Sequence, residues 1–69
     1  MEQTDRFVLQ TARATVMQDG RLVSIFSFTV WELQSTGYEP IQDKSGFSSR
    51  DAARNAGKRA LSAHRKRAT

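Results

Sequence analysis

Cysteine is absent from this chain of 69 residues, which excludes disulfides and thiolate metal sites and fits a reducing compartment. Histidine occurs once, at His64, and the carboxylates are scattered over turns and strand ends. The sequence therefore holds no nucleophile and base pair, no metal-ligand spacing and no glycine-rich phosphate loop. The expectation is a protein that is not an enzyme, with no metal, cofactor or small-molecule substrate. No hydrophobic run is long enough for a membrane span, and the polar, acidic start Met1–Arg6 lacks the apolar core of a signal peptide; both point to a soluble cytoplasmic protein. Length is also scarce. The chain makes one domain, residues 1–69, with flexible ends expected at 1–5 and 66–69. A domain of this size buries only roughly 60% of the surface it exposes when unfolded, and with disulfides and metal excluded, oligomerisation is the remaining aid to stability.

What is present begins with a hairpin. From Arg6 to Gln34 the residues are mostly β-branched, aromatic or Thr, interrupted by Asp19-Gly20, a pair suited to the two positive φ angles of a type I′ turn. Two antiparallel strands follow, about Arg6 to Gln18 and Arg21 to Gln34. A two-residue loop pairs Gln18 with Arg21, Val16 with Val23, Ala14 with Ile25 and Val8 with Trp31. One face then collects Val8, Ala12, Ala14, Val16, Val23, Ile25, Trp31 and Leu33; the other collects Phe7, Leu9, Met17, Leu22, Phe26, Phe28 and Val30. A half-exposed sheet should alternate apolar with polar. Either a bulge midway shifts the phase and unites the two sets, or one face is covered by another chain.

After the turn-rich Ser35-Thr36-Gly37, the segment Tyr38 to Phe47 contains Pro40, so the third strand is expected to be short and at an edge, with Asp43-Lys44-Ser45-Gly46 as a further turn or irregularity. From Ser49 the period becomes helical. Ser48 reads as the N-cap, with Asp51 at the third helical position. Steps of 100° place Ala52, Ala53, Ala56, Gly57, Ala60, Leu61, Ala63 and His64 on one half of the helix. His64, at the margin of that stripe near the helix end, reads as a packing or helix-end residue. Gly57 costs roughly 1 kcal/mol relative to Ala, which suggests a close backbone approach there. The fold class is α+β: a three-stranded antiparallel meander in the order 1-2-3 with one C-terminal helix on one face (β-β-β-α), a two-layer sandwich.

Charge is divided sharply along the chain. From Arg50 onward seven basic residues face one acid, Asp51, a net of +6, whereas residues 1–49 carry a net of −2. Arg54, Lys58 and Arg65 share one narrow arc of the helix; Arg59 and Lys66 line the next. Two readings stand: a solvated surface whose cations suit the helix C-terminus, or a phosphate-tracking surface made of Arg50, Arg54, Lys58, Arg59, Arg65 and Lys66 that binds RNA or DNA.

The stretch Gly46-Phe47-Ser48-Ser49-Arg50-Asp51-Ala52-Ala53-Arg54-Asn55-Ala56-Gly57-Lys58-Arg59-Ala60-Leu61, following two strands, resembles the C-terminal strand and helix of the double-stranded RNA-binding domain. The resemblance implies that Ser49, Arg50 and Arg54 grip phosphates across the RNA major groove while Ala53 and Ala56 face the sheet.

A second functional class comes from the strands. One helix of small residues cannot cover two apolar faces, so Val23, Ile25, Trp31 and Leu33 are candidates for an association face, serving a homodimer or a protein partner. The lead expectation is nucleic-acid binding; the alternative is a protein-interaction module or small inhibitor that docks through this second face.

Overall fold

The Asp19-Gly20 turn determines how the sheet is built. In the computed structural model, which describes residues 5–68, both turn residues have positive φ, 52° at Asp19 and 78° at Gly20. That matches the right-handed twist of the strands it joins, β1 (Phe7–Gln18) and β2 (Arg21–Gln34). Gln18 pairs with Arg21, Val16 with Val23, Ala14 with Ile25 and Val8 with Trp31. β3 (Gly37–Phe47) adds to the other side of β2, giving the order β1-β2-β3, and α1 (Arg50–Ala68) packs on the sheet. The fold is the β-β-β-α meander with one helix layer. Of the ends expected to be flexible, residues 1–4 and 69 lie outside the described residues, while 66–68 belong to the last turn of α1.

Three details differ from the sequence expectations. First, β1 and β2 pair without any shift, so no bulge unites the two apolar sets; the irregularities lie between β2 and β3, at Phe26/Ser27 and Val30/Trp31. β3 is where the chain can deform, because it carries Pro40 and a Gly46 with φ of 96°. Second, β3 is not short but runs for 11 residues. The register explains its tolerance of proline: Gln34 pairs with Gly37 across a two-residue turn, so Pro40, opposite Trp31, falls at a position whose nitrogen faces away from β2. Third, the helix is capped by Ser49, not Ser48. The Ser49 hydroxyl oxygen accepts a hydrogen bond from the Ala52 amide at 3.1 Å, which moves Asp51 to the second helical position and out of capping-box reach. Ser49→Ala is expected to cost about 1 kcal/mol and to lower the melting temperature by about 4–8 °C, whereas Ser48→Ala leaves it within error; thermal melts followed by circular dichroism check both.

The helix covers the Phe7 face. Phe7, Phe28 and Val30 are buried beneath it together with Ala53, and Leu9, Ile41, Phe47, Ala56, Ala60 and Leu61 pack around them. Small residues on α1 let its axis come close to the strands. At Gly57 an added Cβ would stand 2.5 Å from Leu9 Cδ1 and 3.1 Å from Phe28 Cβ. His64 holds the far end down: its ring stacks on Phe7 at 6.0 Å, and its Nε2 lies 2.7 Å from Gln42 Oε1 on β3. Ala52, Ala56, Ala60, Leu61 and His64 are all partly buried, so of the predicted stripe only Ala63 is exposed.

Length leaves part of the sheet uncovered. Nineteen helical residues span about 28 Å at 1.5 Å each, against a longest molecular dimension of 50 Å. β3 meets β2 no closer to the hairpin turn than Phe26, which pairs with Arg13, so residues 14–25 project as a two-stranded arm. On its helix side Met17 and Leu22 are 67% and 72% exposed.

Candidate nucleic-acid interface

An amphipathic helix pressed down along its alanines must present its other side to solvent. Arg50, Arg54, Lys58, Arg59, Arg65, Lys66 and Arg67 are all exposed. Arg54, Lys58 and Arg65 flank α1 on its β1 side: Arg65 lines a shallow groove with Asp5, Arg6, Phe7 and Ala68. Eleven residues separate the ends of this arc, about 16 Å, long enough to meet several phosphates of a strand that rises about 3.4 Å of helix axis per nucleotide. Arg59 and Lys66 form the crest of the helix. Arg67 turns to the opposite flank, where its Nε donates to the Ala63 carbonyl at 3.4 Å.

The cations of the arc differ from Arg6. The Arg6 guanidinium sits 2.8 Å from Glu32 Oε2 and lies over the Phe7 ring at 5.3 Å, so it is tied into the sheet. Arg54, Lys58, Arg59 and Arg65 have no carboxylate partner among the described residues. Arg50 also stands in the first turn of α1, the positive end of its macrodipole, where a cation is slightly unfavourable. Ser49 sits at the same end. Its oxygen serves the cap, while its rotatable hydroxyl proton can donate to an anion. Ala53 and Ala56 face the sheet.

The residues expected to form an association face all lie on the side of the sheet away from the helix, but the register divides them. Trp31 and Leu33 sit with Val8, Tyr38 and Pro40 at one end; Val23 and Ile25 sit with Ala14 and Val16 on the arm. Gln10, Ser27, Thr29, Asp43 and Ser45 form a polar belt between the two clusters. Trp31 is anchored to that belt by its indole N–H, which donates to Gln10 Oε1 at 3.1 Å. Tyr38 reaches across to the start of the chain and donates its hydroxyl to the Asp5 carbonyl at 2.7 Å. This division is invisible in the strand sequences taken singly, because it depends on which residues of β3 align with Thr29 and Ser27.

No family model, curated protein or solved structure matches this chain. Among the described residues no group of three or more His, Cys, Asp or Glu side chains could hold a metal ion, and no helix is long and apolar enough to cross a membrane.

Proposed function

We propose that this chain is a small non-enzymatic nucleic-acid-binding protein that grips phosphates with the basic flank of α1. Arg54, Lys58 and Arg65 provide the central contacts, Arg50 and Ser49 extend them at the N-terminal end, and Arg59 and Lys66 add long-range attraction. The observation that carries this reading is that Arg54, Lys58, Arg59 and Arg65, exposed along one helix, have no carboxylate partner among the described residues, and that Arg50 stands in the first turn, where the helix dipole disfavours it. A helix that merely solvates itself would place its cations in the last turn, as Arg65, Lys66 and Arg67 are, and pair the others at i+4 with acids. The resemblance to the double-stranded RNA-binding domain makes an RNA duplex the first ligand to try, with DNA of equal length beside it.

Titration of fluorescently labelled duplexes of about 20 base pairs tests the proposal, since double-stranded RNA-binding domains span about 16 base pairs. Saturable micromolar binding at low salt that weakens steeply as salt rises is the expected result. Absence of binding to RNA and DNA at low salt would sink it.

A second reading has its own observation: in the Trp31 and Leu33 cluster, Val8, Leu33 and Tyr38 are exposed and Trp31 is only partly buried. A protein-interaction module docking through that cluster would leave both duplexes unbound at every salt concentration, so one titration separates the two readings.

A further inference from the structure

The two edges of the sheet are built differently. β3 ends the sheet on one side with Pro40, Asp43, Lys44, Gly46 and two register shifts, all features that discourage another strand from pairing. β1 ends it on the other side with twelve residues that include no proline, no glycine, no acid and no bulge, and with Arg13 as the only charge. Such an edge is a template for a further strand. Its free bonding groups can be identified. The Leu33 amide donates to the Arg6 carbonyl at 2.7 Å and Gln18 pairs with Arg21 across the turn, so the even-numbered residues of β1 bond to β2. Phe7, Leu9, Thr11, Arg13, Thr15 and Met17 therefore turn their N–H and C=O groups outward.

We propose that β1 pairs antiparallel with β1 of a second copy of this chain, with Ala12 on the two-fold axis, to form a six-stranded sheet carrying both helices on one face. The choice of register follows from side chains. Residues facing each other must lie on the same face, so the axis passes through a residue position, and a neighbouring choice at Arg13 would oppose like charges. Shifting it to Thr11 would set Arg13 against Leu9. With Ala12 on the axis, Val8 meets Val16, Leu9 meets Thr15 and Phe7 meets Met17 of the second copy.

This register resolves both exposed features of the arm. On the face away from the helices, the Val16 and Val23 cluster of one copy joins the Val8 and Trp31 cluster of the other, closing a gap that the monomer leaves open. On the helix face, Met17 arrives opposite Phe7, beside the groove of about 360 Å³ lined by Asp5, Arg6, Phe7, Arg65 and Ala68. A two-stranded ribbon is marginal alone, and pairing joins each arm to the three-stranded part of the other copy, so that its β1 half becomes an interior strand. Arg13 of each copy lies on the same side of the sheet as Arg54 and Lys58 of the other, so added salt strengthens this pairing while weakening any binding of phosphates.

The lack of native cysteine makes the test simple. Across a non-hydrogen-bonded antiparallel pair the Cα atoms are about 4.5 Å apart, within disulfide range. Two Ala14 positions would be about 14 Å apart, four residues out of register. On mild oxidation of the full chain, Ala12→Cys is expected to form covalent dimer in roughly tenfold greater yield than Ala14→Cys. Thr15→Pro removes an outward N–H and no bond of the monomer's own sheet, and it should sediment as a folded monomer where the wild type sediments as a dimer. Equal cross-linking of the two cysteine variants, a wild-type chain monomeric at hundreds of micromolar, or a Thr15→Pro variant that remains dimeric would each overturn the proposal.

Discussion

Reversing two charges, Arg54→Glu with Lys58→Glu, is expected to lower affinity for an RNA or DNA duplex by about 100-fold at 0.1 M salt. Each phosphate neutralised releases about 0.9 of a counterion, so at 0.1 M each contact contributes close to one decade of affinity, and two contacts about two decades. The dependence of log K on log salt should also become shallower by about two units. Position, not net charge, is what this variant probes. Arg21→Glu with Lys44→Glu changes net charge by the same amount, but Arg21 lies beside the hairpin turn and Lys44 on β3, both away from the arc. That control should lose less than about tenfold, through long-range attraction alone. Equal losses in the two double variants would mean that the helix flank is not the contact surface.

Gly57→Leu should unfold the domain or nearly so. The helix approaches β1 and β2 so closely at this point that even a methyl group would sit 2.5 Å from Leu9 Cδ1 and 3.1 Å from Phe28 Cβ. Phe28 Cβ is fixed to the central strand and cannot yield unless the whole helix moves. For Gly57→Ala the gain in helix propensity, about 1 kcal/mol, is offset by overpacking of about 1–3 kcal/mol, so a modest loss remains. A leucine adds three further carbons with no space to take them. The expected cost exceeds about 3 kcal/mol, comparable to the roughly 3–10 kcal/mol available to a chain of this length. Urea titration followed by circular dichroism measures both variants. A Gly57→Leu protein as stable as the wild type would show that α1 does not rest on the sheet at this point.

The parts of the fold that were legible in the sequence are those written by local rules. Asp19-Gly20 admits positive φ at both central positions, and this alone placed Val8 against Trp31, eleven pairs from the turn. The alanine stripe and the basic flank both follow from helical periodicity, since 100° steps separate Ala53, Gly57, Ala60 and His64 from Arg54, Lys58 and Arg65. Other features were set by tertiary contacts. Two apolar faces gave no local reason to choose the Phe7 side for the helix; the choice depends on where β3 delivers the chain at Phe47. Adjacent serines, either able to cap, left the helix start ambiguous by one residue. The length of β3 was missed because Pro40 looks disruptive until its register shows that its nitrogen points off the sheet. The bare β1 edge was missed as well, although its signal was present: twelve residues without proline, glycine or acid.

The claim at the centre of this account is that anions dock on the β1-side flank of α1. Two-dimensional amide NMR of the 15N-labelled chain, titrated with an RNA duplex at low salt, tests it most directly. The predicted result is a set of shifts at Arg50, Arg54, Lys58, Arg59, Arg65 and Lys66, fading as salt is added, with Val23, Ile25, Trp31 and Leu33 unmoved. Shifts confined to those four sheet residues, or none at all with a saturating duplex, would contradict it.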